Sequence, residues 1–368
     1  MLRIFLFNVI LFISHIALGF ETEAKHAILM DYDTKTVLYE KQAFAHMPPS
    51  SMSKMMTAYI AFEHLKNGNV QLEDSFNISE KAWRMGGTRM FIPLSKQVTF
   101  EELLKGVIVQ SGNDAAVAIA EILAGSEEEF VNRMNETAKR LGMNDSNFTN
   151  PTGWPEENNY STANDLAILA IRTIQDFPQY YHYYSETEFI FNQIKQGNRN
   201  GLLYRNIGAD GLKTGHTDMG GYGLTGSIKK GDRRLVVVVN GLSSNKARTN
   251  AAENLINYGL MNYNNIKIID EGAIVDKIKV INGRLKEVNL VSKDKIVMTL
   301  PKSETKKIQV KIHYNTPAMA PIQEGDVLGE LIVEMPTGNK TYPLYAGATV
   351  YEASLFERMQ HNFSNLFD

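Results

Sequence analysis

Pro48-Pro49-Ser50-Ser51-Met52-Ser53-Lys54-Met55-Met56-Thr57 is the stretch from which the rest of this 368-residue chain can be read. Two prolines fix an extended entry. The run after them reads as a helix through Tyr59, Phe62, Leu65 and Lys66, stopped by Asn67-Gly68. Ser51 then falls in the first helical turn, close to unpaired backbone N–H groups and the positive end of the helix dipole. Lys54, three residues on, shares its face and brings an amine within reach of the Ser51 hydroxyl. A serine becomes a good nucleophile when a neutral base takes its proton, and a lysine serves if burial or a second cation lowers its pKa. By itself Ser-x-x-Lys is a weak signal, because an ordinary exposed helix start also explains it.

Composition narrows the field. The chain is long enough for two domains, and a formal net charge of −3 gives no case for nucleic acid as a partner. It has no cysteine, which removes disulfides, thiolate catalysis, Cys-based zinc sites and thiol lipidation. Its eight histidines lack ligand spacing, so neither a metal nor another cofactor is expected. Residues 1–19 carry one positive charge, Arg3, then an apolar run from Ile4 to Leu18, with Ala17 and Gly19 as small residues before a cleavage point. This reads as a secretory signal peptide and predicts an exported protein; a second cut after Ala24 is an alternative.

From the entry stretch outward, His26–Asp31 and Thr36–Glu40 read as a hairpin, and 76–98 as a turn-rich loop with short strands near the site. Thr99-Phe100-Glu101-Glu102 is a capping box opening a helix to about Val109. Gln110-Ser111-Gly112-Asn113 interrupts it, and Asp114–Ala124 resumes as a nearly all-apolar, buried helix. Further helices are expected over Ser126–Leu141, Ser161–Ile174 and Arg248–Tyr258. Strands are expected from Lys213, over Gly221–Ile228 and over Arg234–Leu242. A catalytic unit over 25–264 is followed by a small all-β domain over 265–350, in which Lys307–Tyr314 alternates cleanly. Glu352–Asp368 sets Leu355, Phe356, Met359, Phe363, Leu366 and Phe367 on one helical stripe, suited to a membrane surface or to a core.

Two more motifs bear on the first. Ser111-Gly112-Asn113 places a hydroxyl and an amide at a helix break, where they can meet a proton-relay partner and a substrate amide; a plain N-capping loop has the same spacing. Lys213-Thr214-Gly215 starts a strand and offers a second cation, able to keep Lys54 neutral and to hold a carboxylate. Gly215 leaves room for a substrate backbone along the strand edge. Gly221-Tyr-Gly223-Leu-Thr-Gly226 matches a dinucleotide pattern but leads into a strand, not a helix, and is set aside. Ser-x-x-Lys, Ser-x-Asn and Lys-Thr-Gly in this order form the set found in penicillin-binding proteins and β-lactamases.

On those three motifs, with Asn198–Leu203 and Ser161–Ala163, the chain resembles the low-molecular-mass penicillin-binding proteins, the serine-type D-alanyl-D-alanine carboxypeptidases. The resemblance implies an α/β penicillin-recognition (serine β-lactamase-like) domain, with an antiparallel sheet and helices on both sides. A small all-β domain and a C-terminal amphipathic helix on the outer face of the cytoplasmic membrane would follow. It implies Ser51 as nucleophile, Lys54 as general base, Ser111 as proton relay, and Asn113, Lys213 and Thr214 as substrate-binding groups. The Ser51 and His216 backbone N–H groups would form the oxyanion hole, and Arg248 or Arg199 would clamp the terminal carboxylate. The implied partners are a peptidoglycan pentapeptide ending in D-Ala-D-Ala and β-lactam antibiotics as covalent inhibitors. Relatives often carry a loop histidine where this chain has Asn158-Asn159-Tyr160. A β-lactamase and a non-catalytic wall-binding protein are the competing readings; Ser-Gly-Asn in place of Ser-Asp-Asn, the extra β domain and the complete set of site residues favour the peptidase.

Overall fold

A computed structural model of the chain describes residues 20–336 and 338–358. The expected signal peptide and residues 359–368 of the expected terminal helix lie outside the described residues. The chain opens with β1 (His26–Asp31), β2 (Val37–Lys41), a 3-10 turn (Ser50–Ser53) and α1 (Lys54–Lys66). A short excursion follows through β3 (Ser75–Phe76), α2 (Glu80–Arg84) and β4 (Val98–Thr99). Then come α3 (Phe100–Lys105), α4 (Asn113–Ala124), α5 (Glu127–Leu141) and α6 (Ala163–Asp176). A hairpin of β5 (Glu188–Phe191) and β6 (Ile194–Gly197) precedes β7 (Ala209–Thr217), β8 (Gly221–Lys230), β9 (Arg233–Leu242) and α7 (Asn245–Asn262).

The main sheet runs β2-β1-β9-β8-β7, with every pairing antiparallel. Its middle strand, β9, reads Leu235-Val-Val-Val-Val239 without alternation, because both of its faces are covered. Val236 and Val238 pack into the large core built around α1, α4 and α6. Leu235, Val237 and Val239 pack against Leu255 and Ile256 of α7 on the other side. Helices therefore cover both faces, as the motifs implied. On α5, Phe130, Met134, Ala138 and Leu141 recur every three or four residues and are buried; each large one contributes roughly 2 kcal/mol. Ser126 caps that helix by accepting from the Glu129 N–H at 3.1 Å, and Gly142 ends it at φ +83°.

The C-terminal part is all β. β10 (Tyr263–Ile269), β11 (Ile274–Ile281), β12 (Glu287–Val291), β13 (Ile296–Pro301), β14 (Gln309–Tyr314), β15 (Ala318–Met319), β16 (Val327–Glu334) and β17 (Lys340–Ala346) follow one another. β10 pairs with β13, and the rest form a sheet ordered β14-β16-β17-β12-β11-β15. The clean alternation of β14 does not bury a face: Val310 and Ile312 are 48% and 40% exposed, because this is an edge strand. Polar contacts join the two parts. The Asp31 carboxylate, fully buried, accepts from Arg233 Nε at 3.1 Å and from Asn265 Nδ2 at 3.2 Å.

Candidate active site

Ser51 lies in the 3-10 turn that leads into α1, not in the α-helix itself. The turn is gripped from two sides. Gly153, at φ +74°, passes so close that an added Cβ would stand 1.8 Å from the Ser50 carbonyl oxygen. On the other side a Cβ on Gly215 would meet the Pro49 carbonyl oxygen at 2.9 Å and Ser50 Cβ at 3.0 Å. The missing Gly215 side chain thus lets β7 approach the serine's own turn, while Gly215 also lines the cavity beside Ser51. β7 ends the sheet order, so among the described residues one of its edges has no strand partner.

Lys54 is fully buried and its Nζ meets three oxygens: Thr152 O at 2.5 Å, Asn113 Oδ1 at 2.7 Å and Ser51 Oγ at 3.2 Å. The first two accept only. A neutral amine has two N–H groups and one lone pair, so two donated bonds leave the lone pair for the serine hydroxyl. Burial pushes the Lys54 pKa down to about 7, and the Arg199 guanidinium pushes the same way; the Asp114 carboxylate pulls it up. Arg199 is thus a second cation acting on the Lys54 amine, and Lys54 and Lys213 disfavour each other's charge. Lys213 is itself buried and pushed well below the ordinary lysine range, first by burial, then by Lys54, Arg199 and Arg248. Its Nζ donates only to the Thr214 carbonyl, at 3.3 Å, among the described residues.

Ser111 sits at φ +66°, immediately after a π-type turn over Gly106–Gln110 that ends α3. That left-handed conformation is uncommon for serine and sets the start of α4. Ser111 shares a cavity of about 240 Å³ with Ser51, and its hydroxyl bonds to no other described residue. Asn113 begins α4, with Gly112 as the N-cap. Its Nδ2 donates to the Gly86 carbonyl at 2.9 Å, which turns its oxygen toward Lys54.

Asp114, quoted in the motif but given no role, carries a further part of the architecture. Its carboxylate accepts from the N–H groups of Met90 (2.9 Å), Phe91 (3.0 Å) and Ile92 (3.3 Å). It thereby pins the 86–92 loop beside the cleft, where Thr88 receives a bond from Arg199 Nη1 at 2.9 Å. Asp114's own pKa is raised by burial, against those backbone donors. In sequence it could not be told from any acidic residue in a first helical turn. Thr152, whose carbonyl accepts a hydrogen bond from Lys54 Nζ, acts through its backbone and left no side-chain signal.

The cavity beside Ser51 is also lined by Thr214, Arg199, Arg248 and His216. Arg248 is buried; Nη1 donates to Gly215 O at 3.2 Å, Nη2 to Arg199 O at 3.1 Å, and Nε has no partner among the described residues. Burial lowers its pKa to about 10, so it stays charged at neutral pH. The exposed His216 ring packs on Tyr222 with centroids 3.9 Å apart. One end of this cleft is thus a nucleophile with a buried amine, and the other a cationic wall suited to a carboxylate.

Comparison with known proteins gives a consistent picture. A family model described as D-alanyl-D-alanine carboxypeptidase matches residues 14–244, and one described as Penicillin-binding protein 5, C-terminal domain, matches residues 263–352. The chain is 37% identical to D-alanyl-D-alanine carboxypeptidase DacA of Haemophilus influenzae, over 85% of this chain and 81% of that protein. It is 35% identical to DacC of Escherichia coli, over 92% and 86%. Penicillin binding protein 5 from Haemophilus influenzae superposes with a TM-score of 0.83 at 34% identity, covering 91% of this chain and 99% of that one. Penicillin-Binding Protein D2 from Listeria monocytogenes, solved in an ampicillin-bound form, gives a TM-score of 0.61 at 27% identity, covering 66% and 99%.

Proposed function

The chain belongs to the D-alanyl-D-alanine carboxypeptidase family, a family of serine-type peptidases, and from that premise we propose how its own residues carry the reaction. Ser51 Oγ attacks the carbonyl of the penultimate D-alanine of a stem peptide while its proton passes to the Lys54 lone pair. The oxyanion is held by the backbone N–H groups of Ser51 and His216. The tetrahedral adduct collapses, the C–N bond breaks, and the departing D-alanine amine takes a proton relayed through Ser111. Water then cleaves the acyl-enzyme ester and frees Ser51. Arg248, Arg199, Lys213 and Thr214 receive the terminal carboxylate, and Asn113 holds both the substrate amide and the base.

The observation that carries this reading is the valence of Lys54: two carbonyl acceptors take its N–H groups, and the remaining direction points at Ser51. β-Lactams offer the same attack with a leaving amine that stays tethered, so they would acylate Ser51 and persist; ampicillin-bound Penicillin-Binding Protein D2 supports this by similarity. Mass spectrometry of the products from a pentapeptide ending in D-Ala-D-Ala tests the reading. Release of one D-alanine and a tetrapeptide is expected; rapid penicillin turnover with an intact pentapeptide would make the chain a β-lactamase instead.

We assign the catalytic unit to 25–264 and the β domain to 265–350, with the protein exported and held at the outer face of the cytoplasmic membrane by 352–368. Residues 355–358 are helical, and Leu355 and Phe356 are 78% and 71% exposed. Among the described residues no helix is long and apolar enough to cross a membrane.

A further inference from the structure

The two N–H groups proposed for the oxyanion belong to separate pieces of chain. Ser51 lies in the 3-10 turn over Ser50–Ser53, and His216 lies one residue before the end of β7. Among the described residues no backbone hydrogen bond joins that turn to β7. One side-chain bond does: Ser50 Oγ and Thr217 Oγ1 lie 3.1 Å apart, hydroxyl to hydroxyl. Ser50 immediately precedes Ser51, and Thr217 immediately follows His216. The bond therefore spans the same two elements, one residue away from each N–H group.

Both ends of the bond are held. Ser50 is buried and sits at φ +51°, a left-handed conformation that a serine keeps only where its surroundings impose it. Its hydroxyl has no other partner among the described residues. Thr217 Oγ1 also accepts from the Gly220 N–H at 3.0 Å, which ties it to the turn between β7 and β8. Gly220 covers the pair: an added Cβ there would stand 2.9 Å from Thr217 Oγ1 and 3.3 Å from Ser50 Oγ. A buried hydroxyl with a single partner makes this bond costly to open.

We propose that Ser50 and Thr217 are positioning residues for the oxyanion hole: their hydroxyls latch the nucleophile turn to the end of β7 and fix the spacing of the Ser51 and His216 N–H groups. This rests on the carboxypeptidase reading, in which those two groups hold the oxyanion. Such donors lower the barrier only if they already stand where negative charge develops, so a slack spacing slows acylation with every catalytic group still present. The packing of Gly215 on Pro49 and Ser50 limits how closely the two elements approach. A directional hydrogen bond adds what packing lacks, resistance to their sliding and separating. None of the three Lys54 contacts reaches β7, so the latch and the base are independent.

The test compares Ser50→Ala, Thr217→Val, their double variant and Thr217→Ser with wild type, using the full chain. Opening the bond should lower kcat/KM on a peptide ending in D-Ala-D-Ala about three- to tenfold, the effect of one net hydrogen bond. A peptide boronic acid with boron at the scissile carbonyl position forms a tetrahedral adduct on Ser51 with an oxygen in the hole, and its inhibition constant should rise by the same factor. The acid limb of the pH–rate profile, set by Lys54, should stay in place. The double variant should be no worse than either single one, because both remove one bond, and Thr217→Ser should recover most of the loss. A merely structural role would lower the active fraction and leave the boronate constant unchanged. That result, wild-type values in both single variants, multiplying losses in the double variant or no recovery in Thr217→Ser overturns the proposal. If wild type releases no D-alanine, the carboxypeptidase reading is what fails. Penicillin acylation of Ser51 needs the same hole, and equal acylation rates in wild type and variants then overturn the proposal.

Discussion

Lys54 Nζ lies 2.7 Å from Asn113 Oδ1, and the other end of that amide is tied to the Gly86 carbonyl at 2.9 Å. The amide cannot turn without losing a bond, so the lysine's donors are committed and its lone pair is left for Ser51. Catalysis by this site therefore depends on Lys54 being neutral, and pH reads that directly.

The acid limb of kcat/KM is expected near pH 7, where Lys54 loses its proton. Arg199→Gln removes a cation that disfavours the charged amine, so the limb moves to higher pH. Asp114→Asn removes the anion that favours it, so the limb moves to lower pH. Shifts of up to about one unit in opposite directions are expected from pH–rate profiles. A purely structural role for Asp114 would lower the rate at every pH and leave the limb in place.

Stability carries the same signature. Lys54 has a folded pKa of about 7, and the unfolded chain restores it to about 10.4. Between these values the unfolded state binds the extra proton, so stability rises with pH through that window and is lost as pH falls toward 7. The contribution is at most about 5 kcal/mol, and Lys213 adds with the same sign. Denaturant titrations from neutral pH to about 10 should show the rise, and Lys54→Met should flatten it.

Arg248→Gln tests the carboxylate end. Loss of a charged clamp should cost about 1.5–3 kcal/mol, roughly 10- to 150-fold in kcat/KM, for a peptide ending in a free carboxylate. The C-terminally amidated peptide, already a poor substrate, should be little affected. Equal losses for both would make Arg248 a support for β7 through Gly215 O, with no part in recognition.

The motifs were legible because chemistry fixed both residue type and spacing: Ser51, Lys54, Asn113, Lys213 and Arg248 all meet in one cleft. The capping box at Thr99 was legible too, since its signals are local: Glu102 Oε2 accepts from the Thr99 N–H at 2.9 Å. What the sequence hid was tertiary. Beyond lining the cleft, Gly215 lets the Pro49 carbonyl come near, a contact that only the fold creates. Arg199, within Asn198–Leu203, was legible as a carboxylate clamp, but its influence on Lys54 crosses space between separate elements. The β5–β6 hairpin passed unread, because Glu188–Gly197 is short and alternates weakly around Asn192-Gln193. The alternation of β14 promised a buried face that its edge position does not supply.

Membrane attachment is tested by truncation. Ala353 is buried and its N–H donates to Asn282 O at 2.7 Å, so a cut must leave it in place. Removing 355–368 should release the exported protein from membranes in fractionation while activity on soluble peptide is kept. Unchanged fractionation would leave the Leu355–Phe356 surface without a membrane role.

The most direct measurement is intact mass followed by peptide mapping after incubation with a penicillin. Wild type should gain one adduct, mapped to the peptide containing Ser51, and Ser51→Ala should gain none while melting at an unchanged temperature. An adduct on another residue, or none on the wild type, would contradict the account.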